Sequence, residues 1–156
     1  MKKILILIIL LVLTGCNDMM NTPTKRVEEL LYKYQTFNKQ IEEELKTSLT
    51  NTTMTKEEND LYIKAMKRQF NNLTYEIKEE LIDGNVAVVK TEVKVYNFAN
   101  ALNSDKTTIQ KINTLLKETK KKTYQLTINL SNVDDIWVID GLSEEVKLKL
   151  QGLYTN

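Results

Sequence analysis

The sequence predicts an α+β fold: N-terminal helices packed on a curved antiparallel sheet of about four strands, with one further helix inserted between strands two and three. Three observations predict it. Apolar residues from Val27 to Leu45 recur at helical spacing, the period falls from 3.6 to 2 at Leu73, and Asp83-Gly84 separates two strand-like runs.

Taken in order, Thr22-Pro23 reads as an N-cap followed by proline at the first helical position. Val27, Leu30, Leu31, Tyr34, Phe37, Ile41 and Leu45 form one apolar stripe, which predicts a single amphipathic helix over residues 23–47. Glu28 and Glu29 suit the positive end of its dipole. A polar loop, Ser48 to Met54, follows. Thr55-Lys56-Glu57-Glu58 is a capping box opening a second helix, whose apolar positions are Leu61, Tyr62, Ala65, Met66 and Phe70 and which Asn71-Asn72 ends. Leu73, Tyr75 and Ile77 then alternate with Thr74, Glu76 and Lys78 in a strand reaching Ile82. Asp83-Gly84 fits a type I′ turn, in which both central residues take positive φ. Asn85 through Phe98 returns as the second strand.

Ala99 to Asp105 breaks the pattern, and Ser104 or Asp105 caps a third helix running roughly to Lys120, with Ile109, Ile112, Leu115 and Leu116 as its stripe. Thr123 to Leu130 alternates as a third strand. Asn132 to Asp135 turns, and Ile136 to Ile139 is a short fourth strand bearing the only tryptophan. Ser143-Glu144-Glu145 starts a last helix with Val146, Leu150 and Leu153 on one face; Val146, Leu148 and Leu150 fit a strand as well, so both readings stay open.

The amino end carries a different message. Lys2 and Lys3 precede an unbroken aliphatic run, Ile4 to Leu13. That is the layout of a secretory signal, and the run is too short to span a bilayer, which takes about 20 residues. Leu13-Thr14-Gly15-Cys16 resembles the lipobox of bacterial lipoproteins, in which the cysteine thiol receives a diacylglyceryl group and the chain is cut just before it. The resemblance implies a cleaved signal peptide over residues 1–15, a lipid-anchored tether over 16–21, and one domain over 22–156 on the extracytoplasmic face of the cell membrane. At no more than about 3.5 Å per residue, Asn17 to Asn21 lets the domain stand off by only about 20 Å.

Removal of residues 1–15 leaves 141, a length for one domain with an ordinary core. It also leaves 20 basic against 21 acidic residues, a net charge of −1 that points towards neither nucleic acid nor anionic lipid. Only Arg26 and Arg68 are arginines, the residue favoured for bidentate phosphate recognition. With one cysteine there is no intrachain disulfide, and with no histidine the chain lacks the commonest general base and metal ligand.

Catalytic pairs would have to be built from Ser, Thr, Lys and carboxylates. Ser48, Ser104, Ser131 and Ser143 fall in expected loops or caps, where serine serves the backbone. Glu57-Glu58, Glu79-Glu80, Asp134-Asp135 and Glu144-Glu145 lie at helix starts, strand surface or turns, and no stretch has calcium-loop spacing. Lys117, Lys120, Lys121 and Lys122 read as a solvated helix C-terminus, with a weak contact to anionic head groups as the other reading. Tyr75, Tyr96, Phe98, Tyr124 and Trp137 on strands read either as sheet core or as the lining of a ligand pocket.

Thr22-Pro23-Thr24, Asn72-Leu73-Thr74-Tyr75, Ile82-Asp83-Gly84-Asn85, Val95-Tyr96-Asn97-Phe98, Trp137-Val138-Ile139 and Leu142-Ser143-Glu144-Glu145 resemble a group of uncharacterised low-GC Gram-positive lipoproteins. These are similar in outline to the cystatin-like, nuclear-transport-factor-two-like fold. The resemblance implies a cone-shaped pocket between sheet and helix, which the inserted helix could fill or cover; it transfers no catalytic set. The expectation is a monomeric, non-catalytic interaction module at the membrane surface that contacts an envelope protein or wall polymer and needs no cofactor. The alternative is a small-ligand carrier, and a hydrolase-type enzyme is third.

Overall fold

The computed structural model describes residues 21–99 and 107–155. The signal segment, Cys16 and the expected caps Ser104 and Asp105 lie outside them. The described elements are α1 (Pro23–Gln35), α2 (Lys39–Leu49), α3 (Lys56–Asn71), β1 (Thr74–Asp83), β2 (Val86–Tyr96), α4 (Thr108–Lys117), β3 (Lys121–Val133), β4 (Ile136–Ile139) and α5 (Glu144–Gln151). The fold is α+β. The sheet is an open meander in the order β1-β2-β3-β4, every neighbour antiparallel.

The expected helix over 23–47 is two helices. Phe37 takes φ +46°, outside helical geometry, and the Asn38 side chain accepts the Ile41 N–H at 3.0 Å as a new N-cap. The apolar stripe survives the break, since Val27, Leu31 and Tyr34 of α1 and Ile41, Leu45 and Leu49 of α2 are all buried. The capping box of α3 forms as expected: Glu58 N–H donates to the Thr55 hydroxyl at 3.3 Å and Thr55 N–H to the Glu58 carboxylate at 2.8 Å.

Two turns differ from expectation. Asp83 pairs with Val86, so the hairpin turn is Gly84-Asn85, and only Gly84 has positive φ (+57°). That is the type II′ signature rather than type I′. Both central residues take positive φ in the β3–β4 turn instead, at Asp134 (+52°) and Asp135 (+63°), between the paired Val133 and Ile136.

Helix α4 also ends early, at Lys117. Glu118 is extended (φ −63°, ψ 132°), and its carboxylate accepts the N–H groups of Thr119 (2.9 Å) and Lys120 (2.8 Å), turning the chain into β3. Its described N-cap is Thr107, whose N–H donates to Gln110 Oε1 at 3.2 Å. The ambiguous C-terminal segment is a helix: Ser143 Oγ accepts the Val146 N–H at 3.2 Å, and Gly152 (φ +71°) closes it.

One face of the sheet carries the core. Ala87, Val89, Val93 and Val95 of β2 and Tyr124, Leu126, Ile128 and Leu130 of β3 are buried with Val27, Leu31, Met66, Phe70 and Leu150. Each large side chain so buried contributes about 1.5–3 kcal/mol. Gln69 lies fully buried among them, and Gly152 sits so close that a Cβ there would stand 2.0 Å from the Tyr96 carbonyl oxygen.

Candidate functional site

The first described residue, Asn21, fixes where the chain comes in. Its Nδ2 donates to the Asp135 carbonyl, and its Oδ1 accepts the Trp137 N–H at 3.3 Å. Thr22 then caps α1 by accepting the Lys25 N–H at 3.1 Å, and Thr24 N–H donates to the Glu80 carboxylate at 2.8 Å. The start of α1 is thereby pinned to the end of the sheet that holds both β-turns. Cys16 is five residue steps from Asn21, so covalent geometry keeps the thiol-bearing residue within about 18 Å of that end.

The same end carries an exposed aliphatic surface. Leu81, Ile82, Val86, Val133, Ile136 and Val138 are each 48–55% exposed. Register explains the cluster. Val86, Ser131 and Val138 lie in one row across β2, β3 and β4, Leu81 pairs with Val88 in a row beside it, and Val133 pairs with Ile136. All but Ile82 point to the face opposite the core, and Ile82 extends the patch round the β1 edge. By register Asp83, Asp134 and Asp135 fringe it. Further along the same face the surface changes character: Lys90–Glu79 (2.7 Å) and Lys78–Glu92 (3.2 Å) are cross-strand ion pairs.

A second recess opens among the helices. Between α2 and α5 lies a groove of about 670 Å³, floored by Tyr34, Ile41, Leu45 and Phe70, edged by Leu148 and rimmed by Glu43, Glu44, Glu144 and Lys147. Tyr34 meets Phe70 edge-on at 5.0 Å. Burial, then the negative charge of Glu44, pushes the Tyr34 phenol up to about 12.

The five strand aromatics are dispersed. Phe98, Tyr124 and Trp137 are buried in the core, and the Tyr124 hydroxyl donates to the Tyr154 carbonyl at 3.0 Å. Tyr75 is half-buried. Tyr96 is half-buried at the margin of the core, stacked with Phe98 at 6.3 Å and covered by the Arg68 guanidinium of α3 at 4.0 Å. None of the five lines the α2–α5 groove.

The lysine cluster is not a helix C-terminus. Only Lys117 ends α4, whereas Lys121 and Lys122 belong to β3, where Lys121 Nζ donates to the Asn72 carbonyl at 2.7 Å. Ser131 is likewise a strand residue rather than part of a loop or cap. Ser48 and Ser143 do serve the backbone, at Leu45 O (2.7 Å) and Val146 N–H (3.2 Å). Both arginines are engaged, Arg26 with Glu29 at 3.1 Å and Arg68 with the carbonyls of Leu115 (3.3 Å) and Glu118 (2.7 Å).

Sequence reasoning missed the aliphatic patch and the groove. Ile136-Trp137-Val138-Ile139 reads as a continuous apolar run and hides which face is covered; the groove depends on the helix break at Phe37. No described helix is long and apolar enough to cross a membrane. In comparisons with known proteins, no family model, no curated protein and no solved structure matches this chain.

Proposed function

We propose that the chain is a lipoprotein, held on the extracytoplasmic face of the cell membrane by a diacylglyceryl group on Cys16, that works there as a non-catalytic interaction module. The lipobox-like Leu13-Thr14-Gly15-Cys16 supports the anchor. The fold, helices on one face of an antiparallel meander with α4 between β2 and β3, supports reading it as a variant of the cystatin-like, nuclear-transport-factor-two-like architecture.

The observation that carries the interaction reading is the aliphatic patch beside Asn21. Contiguous exposed aliphatics at one end of a sheet mark a contact surface, and the short link to Cys16 brings this one close to the head groups. Its fringe of Asp83, Asp134 and Asp135 repels an anionic lipid surface, so the patch suits the membrane-proximal part of another envelope protein better than the bilayer.

Site-directed photo-crosslinking tests this in the full chain expressed in a Gram-positive host. A photoreactive residue at Val138 or Ile136 should give a discrete adduct with a membrane protein, weakened by Cys16→Ser. One at Lys94, on the same face at the other end of the sheet, should give none. Failure of both patch positions to form a discrete adduct rejects the reading.

A further inference from the structure

The α2–α5 groove is a second site, independent of the patch and of whether Cys16 is acylated. We propose that it binds a short basic amphipathic helix from another polypeptide.

Three features define that occupant. The floor is apolar and partly aromatic: Tyr34 and Phe70 lie at its base, and Leu148 is left 39% exposed at its edge. Its length suits a helix. The lining runs from Gln40 to Ser48 on α2 and from Glu144 to Gln151 on α5, so at 1.5 Å per residue it extends about 11–12 Å, a little over two turns. Anchors spaced i, i+3 or i+4, and i+7 would lie along it, the usual helix-in-groove arrangement.

The rim fixes the sign of the charge. Glu43, Glu44 and Glu144 face one cation, Lys147, and that lysine is already bound to Glu144 at 2.7 Å. Glu43 has only a loose partner in the exposed Lys39 at 3.6 Å. Glu44 accepts the Gln40 amide at 3.0 Å, and no described lysine or arginine pairs with it. A second copy of this chain would bring the same carboxylates to the rim, and an anionic lipid would be repelled by them. A segment with leucine-like side chains inward and lysines at the margins meets both demands.

The position is useful as well. Phe70 lies at the C-terminal end of α3, which leads directly into β1, and the Leu73 N–H donates to its carbonyl at 3.0 Å, so this part of the groove floor is at the end of β1 remote from Gly84. Tyr34 of the floor lies thirteen residues after Asn21, about 20 Å along α1 at 1.5 Å per residue, so the groove stands apart from the turn end where Asn21 is held. The two surfaces therefore serve different partners, or different parts of one.

Fluorescence anisotropy with the full chain in a nonionic detergent, blanked against empty micelles, decides it. The probe is a labelled twelve-residue amphipathic helix of leucine and lysine; the control has glutamate in place of every lysine. The basic peptide should bind saturably and at least tenfold more tightly than the acidic one. The exposed double change Glu43→Gln, Glu44→Gln should weaken it at least fivefold, and so should Leu148→Gln, each with an unchanged circular-dichroism melt. Absence of saturable binding, equal binding of the acidic peptide, or wild-type affinity in either variant overturns the proposal.

Discussion

The Gln69 side chain grips the backbone of Tyr96 from both sides: its Oε1 accepts the Tyr96 N–H at 2.8 Å and its Nε2 donates to the Tyr96 carbonyl at 2.8 Å. The same Nε2 donates to the Gln151 carbonyl, also at 2.8 Å, so one fully buried amide joins α3 to the ends of β2 and α5. Gln69→Leu leaves those backbone groups without a partner and is expected to cost about 2–4 kcal/mol by urea denaturation. Gln69→Glu keeps an acceptor but sets a carboxyl against two carbonyls, so its deficit should be smaller at pH 4 than at pH 8. A Gln69→Leu domain as stable as wild type would show that these bonds are idle.

The hydroxyl of Thr91 is the opposite case. Thr91 is 1% exposed on the core face of β2, opposite Ile77 where β1 shifts register, and its Oγ1 has no hydrogen-bond partner among the described residues. Thr91→Val keeps the shape and removes the unpaired oxygen, so it should stabilise the domain by about 1 kcal/mol. A lower melting temperature for that variant would count against it.

At Gly84 the constraint is the backbone alone. Its φ is +57° and a Cβ there would meet nothing within 4 Å among the described residues. Gly84→Val is therefore expected to cost about 1–2 kcal/mol, while Gly84→Asn costs less because Asn tolerates the left-handed region. Equal denaturation midpoints for the two variants would remove the proposed turn geometry.

Tyrosine ionisation gives a pH signature. Burial pushes Tyr62 up to about 12, and burial with Glu44 does the same for Tyr34. A phenol whose folded value lies above its unfolded value of about 10 favours the folded state fully below pH 10. That contribution is lost as pH rises from 10 to 12, so the domain should weaken across this window. Absorbance at 295 nm should resolve a late-titrating pair among the seven tyrosines, and Glu44→Gln should move Tyr34 down. Simultaneous titration of all seven near 10 contradicts the placement.

For the anchor, intact-mass analysis of the processed protein should show cleavage before Cys16 and a diacylglyceryl adduct on it, both lost in Cys16→Ser. Two acyl chains suffice for stable attachment where one does not. An unmodified Cys16 on the processed wild-type chain disposes of the lipoprotein reading.

What the sequence revealed was local. The Thr55–Glu58 box and the alternation through Val93 and Leu126 depend on residues a few positions apart, and each gave the right element, whereas the Ser143 cap left helix and strand both open. The break at Phe37 was hidden because α1 and α2 bury the same stripe, although Thr36-Phe37-Asn38 is a run of weak helix formers. Gln69 lies four residues after Ala65 and three after Met66, in line with the buried face of α3, but a glutamine in a helix reads as surface until its backbone partners are known. The patch and the groove depend on which strand face the helices cover, and no spacing rule states that.

Gly152 sets the order in which the domain can be completed. Its carbonyl accepts the N–H groups of Phe98 (2.9 Å) and Ala99 (3.0 Å), and only a residue without a side chain fits against Tyr96 there. Chains emerge from the ribosome amino end first. Until the last helix is made, the Phe98 and Ala99 N–H groups and the end of β2 therefore lack these partners. A chain ended before Gly152 would leave that junction open and its closing bonds unmade.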